Sequence, residues 1–420
     1  VSTIASSFQK AFLAFVIAVL ALGFAGFEVY QGFLAGDHRP MMGWLLGFSV
    51  WFSAGIGMLF LIMIWHVFGA EWPVIIRRQL ENALTAFPYL AVVFAPLFWV
   101  AFMSDQPGFI WHWLNLDHIL PGGQKVAEDV LYQSKAAYLN RDFFMYRVVG
   151  YFVFWIGLTW LLRRFSVAQD KDGSVNWTHR LHNLSAAGLP LCAVVTTFAV
   201  FDFYMSLAFH WFSTMYGVWF FATSMRAGLA VTVVLCHFLS KNGALKGIYG
   251  SAHRYDLGSL CFAFTVFWAY ISFCQYFLIY NANIPEETFW YNIRELNHLW
   301  EKNSWWWVSL FGLLLGYFFV PFIYLLIYKN KVTKPRFLFI AIWILAFHVV
   351  DLYFNILPEQ TVADNAVGYT VNEFSVKLVD VCSIIGVGAL CLWAYLRNAA
   401  KVAPIPLRDP RVEISIHHHE

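Results

Sequence analysis

The stretch DLGSLCFAFTVFWAYISFCQYFLIY, Asp256 to Tyr280, carries a charge at its first residue and none after it. As a helix it would reach about 37 Å at 1.5 Å per residue, against a bilayer core about 30 Å thick. Its apolar residues run without the alternation of a barrel strand, so it reads as a spanning helix. The continuation NANIPEETFWY, Asn281 to Tyr291, brings Pro285, Glu286 and Glu287 and then returns to aromatics. Proline lacks the N–H that continues a helix, so the two carboxylates are expected beyond the membrane, as a cap or a contact for another subunit.

The rest of the chain repeats this pattern. Of 420 residues, 60% are hydrophobic and 12% are charged, where soluble domains carry about 25% charge. Ten spans are expected, at 9–31, 42–68, 84–103, 142–162, 184–210, 216–239, 256–280, 304–328, 337–357 and 376–396. The fold class is therefore an all-α polytopic membrane protein with ten transmembrane helices. The net charge of +2 offers no basic face for nucleic acid. The six cysteines lie in apolar segments without a CxxC pair, a spacing that disfavours zinc or iron–sulfur ligation. No integral haem is expected either, because His66, His237 and His348 are scattered in depth and no helix carries two stacked axial histidines.

Lys and Arg gather in the loops after the second, fourth, sixth and eighth spans and at both ends of the chain. By the positive-inside rule both termini face the cytoplasm, and the segments 104–140 and 281–303 face outward. Trp111 and Trp113 suit the headgroup level, and QKVAEDVLYQSKAAYLNR suits a short external helix. The sequence is expected to carry no cleaved signal peptide, and its terminal histidines support no metal site.

Charge at membrane depth is costly and turns toward a cavity or a partner. Glu28, Asp202, Arg226, His348, Asp351 and Asp380 fall in the outer half of the expected spans. His66, His237 and Asp256 fall near the inner ends. Carboxylates and imidazoles at such depths suit two aqueous half-channels for protons, with Tyr204, Ser206, Thr265 and Ser272 as hydroxyl candidates. The plainer alternatives are an Arg226–Asp202 ion pair, a His348 bonded to Asp351 or Asp380, and interfacial roles for Glu28, His66 and His210. The Gly43–Gly47 and Gly312–Gly316 spacings suit close helix contact. Pro88, Pro96, Pro190 and Pro321 each free a backbone carbonyl that must find another partner.

Three runs together carry a family resemblance: HRYDLGSLCFAFTVFWAYISFCQYFLIYNANIPEETFWY (His253 to Tyr291), FHVVDLYFNILPE (Phe347 to Glu359) and LRDPRVEISIHHHE (Leu407 to Glu420). The chain resembles a membrane subunit of bacterial alternative complex III, within the wider NrfD/PsrC-like family. The resemblance implies two four-helix bundles, residues 42–215 and 216–357. A peripheral helix would lie in 1–41 and another in 358–420. It implies a quinol-oxidising respiratory complex in the bacterial inner membrane, with no redox centre in this chain. Haem c and iron–sulfur clusters would belong to other subunits. The implied partners are an ActC-like sister subunit holding the quinol site, the iron–sulfur and cytochrome c subunits, a terminal oxidase, and lipids. Proton conduction through Asp202, Arg226, His348, Asp351 and Asp380 is the leading expectation, with His66, His237 and Asp256 as an inner route. Direct quinol binding, a purely structural scaffold and a secondary transporter are the alternatives.

Overall fold

A computed structural model describes residues 2–120, 123–297, 299, 301–362 and 369–418. Among them, ten helices are long and apolar enough to cross a membrane. They are α1 (Gln9–Ala35), α2 (Arg39–Val67), α3 (Val74–Met103), α4 (Arg141–Asp172), α5 (Val175–Phe203), α6 (Tyr216–Lys241), α7 (Ser251–Ala282), α8 (Ser304–Leu326), α9 (Lys334–Ile356) and α10 (Leu378–Ala399). The chain is a multi-pass membrane protein. We call the end bearing residues 104–120, 123–140, 283–297, 357–362 and 369–377 the loop face, and the opposite end, bearing 400–418, the tail face.

Within the apolar window of α2, 94% of residues are buried, against 22% in α1 and α8, so α2 is the axis of the molecule. It packs on α6, α10, α5 and α3. α4 packs on α3 and α5, α6 on α7 and α9, and α8 on α9 and α7, while α1 lies along α10. The α2–α6 seam is set by Gly57 and Gly228. A Cβ on Gly57 would overlap the Ser224 carbonyl, and one on Gly228 would overlap the backbone of Gly57 and Met58. Gly43 and Gly47 likewise admit Asp380 and Ser383 of α10, and Gly312 and Gly316 admit Val350 and Phe347 of α9, as their spacing predicts.

Several boundaries depart from expectation. α3 starts at Val74, ten residues before the expected limit, so VIIRRQLENA is helical and buried. A 3-10 turn at Leu84–Ala86 then precedes Pro88, which lacks the N–H that would bond the Leu84 carbonyl four residues back. α5 ends at Phe203 rather than 210 and passes into a 3-10 turn. α7 closes on Asn283 in the left-handed region, φ 49°. Pro285 then opens a new short helix, Pro285–Glu295, with Glu286 exposed in its first turn. Trp111 and Trp113 are buried within the protein beneath the loop face. The external helix appears as Val130–Lys135, its end capped by the Asp129 carboxylate accepting from the Tyr132 N–H.

α8 is α-helical at both ends but forms wide π turns over Val308–Phe319, just before Pro321. Pro321 has no N–H for the Tyr317 carbonyl four residues back. That carbonyl instead accepts from Arg226 Nη2 of α6, and Trp343 Nε1 of α9 donates to the Gly316 carbonyl at 2.8 Å.

Candidate functional site

His348 and Asp351 share a face of α9, three residues apart, and meet side chains from α2, α6, α7 and α8. Ser53 Oγ lies 2.8 Å from His348 Nε2, and Thr223 Oγ1 lies 3.2 Å from His348 Nδ1. The same Thr223 hydroxyl donates to Asp351 Oδ2 at 2.8 Å and lies 3.0 Å from the Tyr317 hydroxyl. Trp268 Nε1 donates to Asp351 Oδ2 at 3.2 Å, and Asn355 Nδ2 donates to Asp351 Oδ1 at 3.3 Å. Ser53, Thr223, His348 and Asp351 are all buried. His348 thus reaches Asp351 through Thr223, without the direct bond considered above.

The Arg226 guanidinium lies over the Tyr317 ring, 3.6 Å from its centroid, and over the Trp268 ring at 5.2 Å. Its Nε and Nη1 are buried and find no hydrogen-bond partner among the described residues. It does not meet Asp202. That carboxylate is held on both oxygens by Arg147 of α4, at 2.8 and 2.9 Å, and accepts from the Tyr151 hydroxyl at 2.7 Å. Because α5 ends at Phe203, Asp202 sits at the helix end and closes the α4–α5 contact there. Asp380 is also separate. It opens α10, takes two bonds from Arg39 at 2.8 and 2.7 Å, and accepts from the Tyr353 hydroxyl at 2.8 Å. Glu28 is half-buried on α1, apart from all three.

A cavity of about 340 Å³ enters between α7, α8, α9 and the Pro285–Glu295 helix. Asp351, Gln275 and Asn355 are its inner polar wall, and Trp268, Trp290 and Phe318 are among its aromatic walls. Lipid-facing Phe273 and Leu314 flank its side. Ser272 lines it, whereas Thr265 and Ser206 bond back to the carbonyls of Cys261 and Asp202 in their own segments. A second cavity, about 320 Å³, lies under the loop face and shares Asn355 and Trp290 with the first. At its edge Glu359 bridges two imidazoles, His38 Nε2 at 2.7 Å and His112 Nε2 at 3.0 Å. Burial alone would raise the Glu359 carboxyl, but the bonds from His112 and His38 bring it down to about 2. Its bond to Glu359 raises His38 above the ordinary imidazole value. His210 lines this cavity and pairs with Asp129 at 3.1 Å.

At the tail face the three expected inner groups stay apart. His66 is buried in the last turn of α2, its Nε2 without a partner among the described residues. His237 is half-buried at the end of α6. Asp256 pairs with His418 of the C-terminal tail at 2.7 Å. The concentrated charge there is one that sequence reading counted as loop residues. Arg77 bonds Glu81 and Asp409, each at 2.9 Å, and Arg78 bonds Glu81 at 3.0 Å and Asp170 at 2.6 Å. Both arginines are buried. Burial would raise Asp409, but the Arg77 and Arg411 cations beside it hold it well below the usual carboxylate range. The i, i+3 and i, i+4 spacing of Glu81 from Arg78 and Arg77 was the available sequence signal.

The chain matches no protein-family model and no curated protein sequence. What the fold and site define is therefore a class: a ten-span helical membrane protein with a hydrogen-bonded acid and imidazole buried beneath one face.

Proposed function

We propose that the chain is a non-haem, ActF-like membrane subunit of a quinol-oxidising respiratory complex of the alternative complex III kind, and that it moves protons through the Asp351 site. It resides in a bacterial inner membrane with both termini in the cytoplasm, which turns the loop face outward. Its partners are an ActC-like sister subunit and the iron–sulfur and cytochrome c subunits. The pairwise packing supports two four-helix bundles, α2–α5 and α6–α9. α1 and α10, the peripheral helices of this reading, lie together along one flank.

The observation that carries this reading is the unbroken chain Ser53, His348, Thr223, Asp351 within a low-dielectric interior. His348 and Asp351 each take up and release a proton, and the Ser53 and Thr223 hydroxyls each donate and accept a hydrogen bond. The unpartnered Arg226 nitrogens supply positive potential beside it. Asp202 and Asp380, each closed by an arginine and a tyrosine, act as structural pairs in this reading. The test is Asp351→Asn in the assembled, reconstituted complex. Proton translocation falls about a hundredfold, the lower end of what a positioned proton-transfer group contributes, while the subunits stay assembled. Unchanged translocation at unchanged turnover rejects the role.

One observation favours a second reading, quinol binding by this chain. The 340 Å³ cavity has Asp351 and Glu295 in its lining and no Lys or Arg, so it suits a neutral hydroxylated ring better than a phosphate headgroup. Saturable binding of a short-chain quinol to the isolated chain, lost in Gln275→Leu, would favour it.

A further inference from the structure

The cavity under the loop face has no part in the proton chain as described, although it touches the end of it. Its inner wall includes Asn355, whose side-chain amide donates to the Asp351 carboxylate. Asn355 also holds the Asp351 backbone carbonyl at 2.8 Å, one α-helical turn back. The Asn355 carbonyl in turn accepts from Arg294 Nη2, and Arg294 Nε donates to the Phe354 carbonyl at 2.9 Å, so the end of α9 is pinned against the cavity. The other end of the cavity is partly open. His38, His112 and Glu359 there are each exposed by between a fifth and a third of their side chains, and Ile119 beside them is 59% exposed.

The three residues of that rim come from three separate segments. His38 precedes α2, His112 lies in the 104–140 segment and Glu359 follows α9. A carboxylate bonded by both oxygens to two imidazoles is held in place; His38 keeps its second nitrogen for exchange, whereas His112 uses both of its own. His112 Nδ1 lies 3.1 Å from the Gly108 carbonyl, and its ring stacks on His118 with centroids 4.4 Å apart. A cavity of this size with several polar groups on its wall accommodates several waters.

We infer that this cavity is the vestibule through which the Asp351 site exchanges protons with solution at the loop face, with His38 as the exchanging group at its mouth, His112 fixing the Glu359 bridge beside it, and Asn355 as the partition at its base. The inference rests on the reading that Asp351 transfers protons. A proton leaving Asp351 passes to vestibule water once the Asn355 amide turns aside. That water passes a proton to an imidazole nitrogen, and the imidazolium releases one to bulk water. Glu359 positions the two rings. Its own carboxyl stays ionised at neutral pH, so it is not the group that loads and unloads. The charged and titratable groups facing the histidines are Asp37, Arg39, Glu359 and His118, with His210, Asp129 and Arg294 deeper along the wall.

Two measurements on the full complex in proteoliposomes test this. In the first, a membrane-impermeant charged thiosulfonate is added from the loop-face side. Ala208→Cys, on the vestibule wall, is expected to be labelled, as is Ile119→Cys at the mouth, while Phe277→Cys on the lipid-facing side of α7 is not. Failure of Ala208→Cys to label when Ile119→Cys does would overturn the proposal. In the second, proton release is followed against pH. Glu359→Gln and the double variant His38→Gln/His112→Gln are expected to slow release about tenfold, less than the loss of the central acid. They should also abolish the inflection above pH 6.5 that is expected of the unaltered protein from its raised His38. Asn355→Ala is expected to speed exchange and Asn355→Leu to block it. If these variants match the unaltered protein in rate and pH profile while Asp351→Asn is impaired, the vestibule is wrong and the proton role of Asp351 stands. If Asp351→Asn is also unimpaired, both fall.

Discussion

Arg226 donates to the Tyr317 carbonyl, the acceptor that Pro321 leaves without its helical donor. One residue type that breaks a helix therefore creates the anchorage for a buried cation on the neighbouring helix. Arg226→Ala is expected to destabilise the protein by about 1–3 kcal/mol, the cost of leaving a buried acceptor unpaired. Pro321→Ala restores an N–H near that carbonyl, so the double variant should lose less than the two single losses added together. A double-mutant cycle on thermal midpoints in detergent reads the coupling. Additive losses would show that the two residues do not share the carbonyl.

Arg147 and Asp202 should behave as a structural clamp. Removing one member leaves a buried charge uncompensated, about 3–5 kcal/mol in comparable pairs. Arg147→Ala is therefore expected to lower the folded yield sharply, whereas Asp202→Asn with Arg147→Met together should recover much of it. Proton transfer per assembled complex should be unchanged in the double variant, which separates this pair from Asp351.

The Glu359 bridge carries a pH signature. Glu359 is lowered to about 2 from an ordinary 4.5, so its contribution is fully present above pH 4.5 and is lost as pH falls toward 2. His38 is raised from 6.5, so its contribution is fully present below pH 6.5 and is lost as pH rises through its raised value. The difference in thermal midpoint between the unaltered protein and Glu359→Gln should thus be largest between pH 4.5 and 6.5 and shrink on both sides. A difference that is flat from pH 3 to 9 would exclude the charged bridge.

Gly57 and Gly228 make a sharper prediction than the charges. Alanine at either position places a methyl group into helix backbone that has no flexible end to move. Overpacking costs about 1–3 kcal/mol where side chains can yield and more where they cannot. Gly57→Ala should therefore be more damaging than alanine at Gly150, where a Cβ meets nothing within 4 Å. Comparison of folded yields by size-exclusion chromatography checks it.

The spans were legible because apolar length alone decides them, and Asp256 to Tyr280 is representative. Gly43, Gly47, Gly312 and Gly316 were also legible, since their spacing directly encodes helix proximity. Partners were not. Asp202 was weighed against Arg226 because both lie in apolar runs, but Arg147, one turn and a half into α4, reaches it first. Arg77 and Arg78 read as loop charge because hydropathy falls where α3 begins. Their burial depends on Asp409, more than three hundred residues away, and no local pattern announces it. Thr223 and Asn355 were missed for a different reason. A threonine or asparagine inside a span is common, and only the fold reveals that each touches Asp351.

The fastening of Asp409 to Arg77, and of Ser415 to the carbonyl of Trp72 and the N–H of Ile75, also orders events during synthesis. The third helix is made early, yet one of its cations waits for a counter-charge that is made more than three hundred residues later. A nascent chain halted before residue 409 holds an incompletely neutralised Arg77. Truncation ahead of Asp409 would consequently be felt as a maturation defect at the third helix.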